Sequence, residues 1–194
     1  MSSYRILNAG ALDVGTGIER PRQALPARVT LDSPAVDVMT DLSRVAAEAI
    51  PANLSVDYAE ARMIASGVRL LFVTNQNNEV VGIITARDLS GERIMRFVTD
   101  SNSTRRDIIV RDIMTPQHRV EVLEMSDVST ARVGDIVATL KRMGRQHALV
   151  VDRDGKGRQI IRGVLSTSQV GRQLGESIDT ADFAGSFADL ARAG

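Results

Sequence analysis

Two short polar motifs in this chain carry side chains suited either to closing a helix or to holding a ligand. Thr85-Ala86-Arg87-Asp88 follows the apolar run Val80-Val81-Gly82-Ile83-Ile84. Its hydroxyl and carboxylate, three residues apart, form a capping-box pattern in which both side chains satisfy free backbone N–H groups. The same carboxylate offers two acceptor oxygens, which match two adjacent hydroxyls on a ligand, and a helix N-terminus presents N–H groups to a phosphate. Ser166-Thr167-Ser168-Gln169 occupies the corresponding place after Ile160-Ile161-Arg162-Gly163-Val164-Leu165. Gln169 keeps the capping function but lacks the charge and the second acceptor oxygen, so only the first copy retains a complete carboxylate clamp.

Catalytic motifs find no footing. The chain has no cysteine and two histidines, His118 and His147, which removes disulfides, thiolate nucleophiles, thiolate zinc sites and His-rich metal sites from consideration. It contains no G-x-S-x-G and no G-x-x-x-x-G-K-[ST]. Gly15-Thr16-Gly17 is too short for a phosphate loop, and Asp152 and Asp154 fall in a turn sequence where Asp is a turn former. No catalytic residue and no metal ligand is expected.

A repeated motif implies a repeated set of elements. At a spacing of roughly 75–80 residues, Asp37-Val38-Met39-Thr40 recurs as Asp112-Ile113-Met114-Thr115. Each is followed by an amphipathic helix, with Val56, Ala59 and Met63 on one face in the first copy and Val133, Ile136, Val137, Leu140 and Met143 in the second. Gly67 and Gly144 then offer left-handed stops. A hairpin comes next in each copy, 69–74 with 80–85 and 147–152 with 160–165, around polar Gly- and Asn-rich turns. Leu89, Ile94, Phe97 and Val98 mark a closing helix in the first copy, and Val170 and Leu174 one in the second. The predicted order is strand, helix, strand, strand, helix, written twice. Such apolar strands call for helices on one face and the sister copy on the other. Residues 1–33 read as an extended arm, 34–103 and 104–176 as the two repeats, and 177–194 as a helical tail with Phe183, Phe187 and Leu190 at helical spacing.

Composition narrows the partners. Lys plus Arg and Asp plus Glu number 24 each, and aromatic residues make up 3% of the 194 residues. There is thus no basic field and little stacking surface for nucleic acid. No segment reaches the roughly 18 apolar residues that span a bilayer, and the N-terminus lacks a signal-peptide pattern. A cytoplasmic protein without membrane insertion is expected.

The ordered set resembles the cystathionine-β-synthase (CBS) domain family. The resemblance rests on Val38-Met39-Thr40, Gly67-Val68-Arg69 and Gly82-Ile83-Ile84-Thr85-Ala86-Arg87-Asp88 in the first copy. In the second it rests on Ile113-Met114-Thr115-Pro116 and Gly163-Val164-Leu165-Ser166, so it covers Ser33 to Glu176. It implies an α/β chain of α+β type: a tandem CBS pair, or Bateman module, with small mixed sheets about a pseudo-twofold axis and clefts for an adenosine-type ligand. It also implies a homodimer acting without catalysis on a regulated protein it does not name. With no room for a further catalytic domain, the chain resembles the stand-alone members.

By residue, the resemblance implies that Asp88 takes the ribose, Thr85 and Arg69 the phosphate side, and Thr40 the sugar or base edge, with Arg87 a second phosphate candidate. Arg69 also reads as a solvated arginine at a strand start. Family members often have Ser or Thr at the place of Arg87, which leaves AMP, ADP, ATP, S-adenosylmethionine and NAD open as ligands, with no obligatory cofactor. Thr115, His147, Ser166, Ser168 and Gln169 would line a second, altered cleft. An alternative function is a ligand-free dimerisation protein of the same fold.

Overall fold

A computed structural model describes residues 5–19, 21–90, 92–101 and 104–179. The C-terminal stripe of Phe183, Phe187 and Leu190 lies outside the described residues. In chain order the elements are β1 (Thr40–Asp41), β2 (Ala49–Pro51), α1 (Val56–Ser66), β3 (Leu70–Thr74), β4 (Val80–Thr85), α2 (Ala86–Ser90) and α3 (Glu92–Ser101). They continue with α4 (Val110–Ile113), β5 (Thr115–Pro116), β6 (Val122–Glu124), α5 (Met125–Thr130), α6 (Val133–Met143), β7 (His147–Arg153), β8 (Gln159–Ser166) and α7 (Thr167–Leu174).

Local chemistry sets these boundaries. The Ser55 hydroxyl accepts from Tyr58 N at 3.2 Å to open α1, and Gly67 (φ 67°) and Gly144 (φ 60°) close α1 and α6 in the left-handed conformation. The two Asp-h-Met-Thr motifs are less strand-like than expected. Ala35–Val38 is a 3-10 turn, Val110–Ile113 is a helical turn, and each strand that follows is two residues long. The Asp112 carboxylate accepts from Ile109 N at 3.0 Å, so the acidic residue of that motif is a helix cap. The short strands β2 and β6, absent from the predicted order, pair parallel to β3 and β7.

The sheets have the same order, β1-β8-β7-β6 and β2-β3-β4-β5, and that order crosses the repeats. β1, from the first copy, pairs with β8 of the second through Thr40 and Val164. β5, from the second, pairs with β4 of the first through Thr115 and Ile83. The core follows the sheets. Ile108, Val110 and Ile113 pack with Val56, Met63, Leu71, Val73 and Ile84, while Ala35, Val38 and Met39 pack with Ile136, Leu140, Val150 and Leu165. Each lobe thus contains the opening segment of the other repeat.

Gly82 and Gly163 make that exchange possible. A Cβ at Gly82 would lie 2.5 Å from Thr115 O, and one at Gly163 2.6 Å from Met39 Sδ and 2.9 Å from Thr40 O. The strand arriving from the other repeat runs where a side chain would stand.

Period-2 alternation then joins the lobes. On β3, Leu71 and Val73 face the helices while Leu70 and Phe72 face the sister sheet. Leu70, Phe72 and Leu149, at 8%, 5% and 3% exposure, pack with Leu42, Ile83, Val120, Ile161 and Val164. Each buried side chain of this size contributes on the order of 1.5–3 kcal/mol as an upper bound, enough to hold the two lobes as one body. Asp41 adds a polar tie. Burial would raise its pKa, but Arg162, at 3.0 and 2.9 Å to its two oxygens, and Ser43 outweigh that and hold it at about 2.

Candidate functional site

The exchange of segments decides which side chains meet. β4 runs into α2 at Thr85 and Asp88, β5 brings Thr115 alongside Ile83, and the start of β7 supplies Gln146 and His147 from the other sheet. Together they line a cleft of about 540 Å³ whose further charged lining comes from Arg87, Glu92, Arg93, Arg119, Glu121 and Arg145.

Asp88 is one of its lining residues and is doubly engaged. Oδ2 accepts from Thr85 N at 2.9 Å and from Thr85 Oγ1 at 2.7 Å, and the Asp88 N–H donates to Thr85 Oγ1 at 3.4 Å. The capping reading of Thr-x-x-Asp therefore describes one oxygen. The other, Oδ1, accepts from Arg93 Nη1 at 2.8 Å. The same nitrogen donates to Ile113 O at 2.9 Å and Thr115 Oγ1 at 3.4 Å, across to the second copy's opening segment.

The electrostatics favour an anion. Asp88 is paired with Arg93, Arg145 with Glu121 at 4.0 Å, and Glu92 with Arg96 at 3.8 Å. Arg87 and Arg119 form no ion pair among the described residues, so positive charge is left over at the cleft wall. His147 is kept neutral: burial and then the Arg69 guanidinium lower its pKa from 6.5 to about 4, against a smaller upward pull from Asp88.

The expected site residues are sorted differently from a copy-by-copy assignment. Thr85, Arg87 and Asp88 share this cleft with Thr115 and His147. Arg69 instead lines a shallower recess with Gln146, Thr167, Ser168 and Arg172. Ser166 caps α7 by accepting from Gln169 N at 3.1 Å, and the Gln169 side chain bonds within that helix to Gln173 and Arg172. Thr40 lies on β1, whose free edge is covered by the arm: Gln23 Nε2 donates to Met39 O at 3.0 Å and Gln23 Oε1 accepts from Asp41 N at 2.8 Å. Arg93 and Arg119 went unforeseen. Arg93 stands five residues beyond Asp88 on a separate helix, a spacing that no helical-neighbour rule picks out.

Among the described residues no group of His, Cys, Asp and Glu could hold a metal ion, and no helix is long and apolar enough to cross a membrane.

These elements define a pair of small mixed-sheet repeats, interleaved at their opening segments, with a polar cleft between them. The family model for the CBS domain matches residues 35–93. Among solved structures the chain is similar to an uncharacterized conserved protein from Pyrococcus horikoshii, at 22% identity and a TM-score of 0.52, over 73% of this chain and 92% of that one. It is also similar to a CBS-domain containing protein from Agrobacterium tumefaciens, at 19% identity and a TM-score of 0.53, over 74% of this chain and 94% of that one. No curated protein matches it. At these identities the structural likeness speaks for the fold. Residues 35–93 are thus similar to the CBS domain, and the chain as a whole has the fold of these two structures.

Proposed function

We propose that this protein is a non-catalytic regulatory module that binds an adenosine-type nucleotide in the cleft around Asp88 and signals its occupancy to a partner protein. The observation that carries the reading is the composition of that cleft. A carboxylate suited to adjacent hydroxyls lies beside Arg87 and Arg119, which carry no ion pair among the described residues, and next to a neutral His147. Because Asp88 comes from one repeat and Thr115 and His147 from the other, a ligand there touches both. It shifts their packing to the extent that it binds one arrangement better. The recess that Arg69, Gln146 and Ser168 line is the altered site: the second copy has Gln169 where the first has Asp88, and Gln146 where the first has Arg69. The module acts in the cytoplasm, as a homodimer, on a regulated protein.

A ligand-free dimerisation role has one observation in its favour: both oxygens of Asp88 are already bonded within the chain. A thermal-shift panel of AMP, ADP, ATP, S-adenosylmethionine and NAD separates the two. The nucleotide reading predicts stabilisation by at least one member, rising with concentration as RT ln(1 + [L]/Kd). No shift with any of the five, up to millimolar concentration, would support the dimerisation role instead.

A further inference from the structure

Asp88 is short of acceptor capacity for a diol. A carboxylate has about four lone-pair directions. Thr85 N and Thr85 Oγ1 use both of those on Oδ2, and Arg93 uses one on Oδ1. One remains, and two hydroxyls need two. A nucleoside seating both hydroxyls on Asp88 must therefore displace Arg93, which breaks a charge-assisted bond and leaves the guanidinium without its carboxylate. A nucleotide brings its own replacement. Its phosphate enters a cleft that Arg87 and Arg119 already bias toward anions, and the fork of Arg93 suits phosphate as well as carboxylate.

We infer that Arg93 makes the cleft select phosphorylated nucleosides over nucleosides, by yielding Asp88 only to a ligand that offers its guanidinium an anion in exchange. The inference rests on the nucleotide reading of this cleft. It also supplies a route for the signal. Arg93 Nη1 ties α3 of the first repeat to Ile113 O and Thr115 Oγ1 of the second. Moving the guanidinium to a phosphate loosens that tie, so ligand occupancy changes a contact between the repeats.

The test is calorimetric titration of the full chain with AMP and with adenosine, comparing wild type, Arg93→Ala and Arg93→Gln. Gln retains an amide donor for Ile113 O and Thr115, which guards against simple loss of folding. Wild type is expected to bind AMP at least about tenfold more tightly than adenosine, the scale of one charge-assisted contact. In both variants the preference for AMP over adenosine falls by at least about threefold, AMP weakening and adenosine improving as Asp88 is freed, while Arg87 and Arg119 retain the remainder. An AMP-to-adenosine ratio unchanged in both variants would overturn the role of Arg93 while leaving nucleotide binding intact. Wild type that binds neither compound would overturn this inference, and the nucleotide reading falls with it if ADP, ATP, S-adenosylmethionine and NAD also fail to bind.

Discussion

His147 illustrates how one side chain is set by both repeats. It opens β7 of the second repeat, yet the charges that act on it, Arg69 and Asp88, belong to the first. Its pKa is about 4 in the folded protein against 6.5 for an unperturbed histidine, so the unfolded chain binds the extra proton between those values. Stability then rises with pH through that window and is lost as pH falls from 6.5 toward 4. Chemical denaturation of wild type and His147→Gln at pH 7 and pH 4.5 measures this. Wild type is expected to lose about 2 kcal/mol more than the variant on acidification, a figure discounted for the partial exposure of the ring. Equal losses would mean that His147 is not held neutral by its surroundings. The residue types of the site were legible in the sequence, because Thr85, Asp88 and His147 stand in recognisable places. Their grouping was not. The resemblance implies a phosphate role for Arg69 with Asp88, and the structure places Arg69 in the recess with Ser168. Nothing in a linear repeat tells which copy's side chains will share a cleft.

At the scale of elements, what was legible follows periodicity. α1, α6 and both hairpins carry enough residues to show a 3.6- or 2-residue pattern, and their glycine stops fall where expected. β1 and β5 are two residues each, too short to alternate, and their partners lie in the other repeat. The glycine of each Gly-h-h-Thr/Ser motif was the available clue, since a strand glycine marks close approach of another backbone. Gly82→Ala would set a methyl 2.5 Å from Thr115 O, a backbone atom that cannot turn aside as a side chain does. The variant is expected to cost about 2–3 kcal/mol in urea denaturation, within the range for overpacking. Gly155→Ala, where a Cβ meets nothing within 4 Å, is expected to be neutral. A neutral Gly82→Ala would contradict the tight pairing of β4 with β5 that carries Thr115 to Asp88.

For the whole molecule, the exchange of opening segments means that neither repeat completes its own sheet. Ile108, Val110 and Ile113 fill the core of one lobe, Ala35, Val38 and Met39 that of the other, and the faces between are closed by Leu70, Phe72 and Leu149. A ligand at the Asp88 cleft therefore bears on both lobes at once, through α2 and β5 on one side and the start of β7 on the other. That geometry suits a sensor whose output is the relative packing of its halves, since packed interfaces move between discrete arrangements more readily than they deform continuously. The most direct test of a single nucleotide cleft centred on Asp88 is calorimetric titration of AMP into wild type and Asp88→Ala at low salt. The predicted result is saturable binding near one site per chain in wild type and its loss, or a weakening of at least about tenfold, in the variant. AMP binding of equal strength in both proteins would contradict it and would place the ligand elsewhere, with the recess beside Arg69 the next place to look.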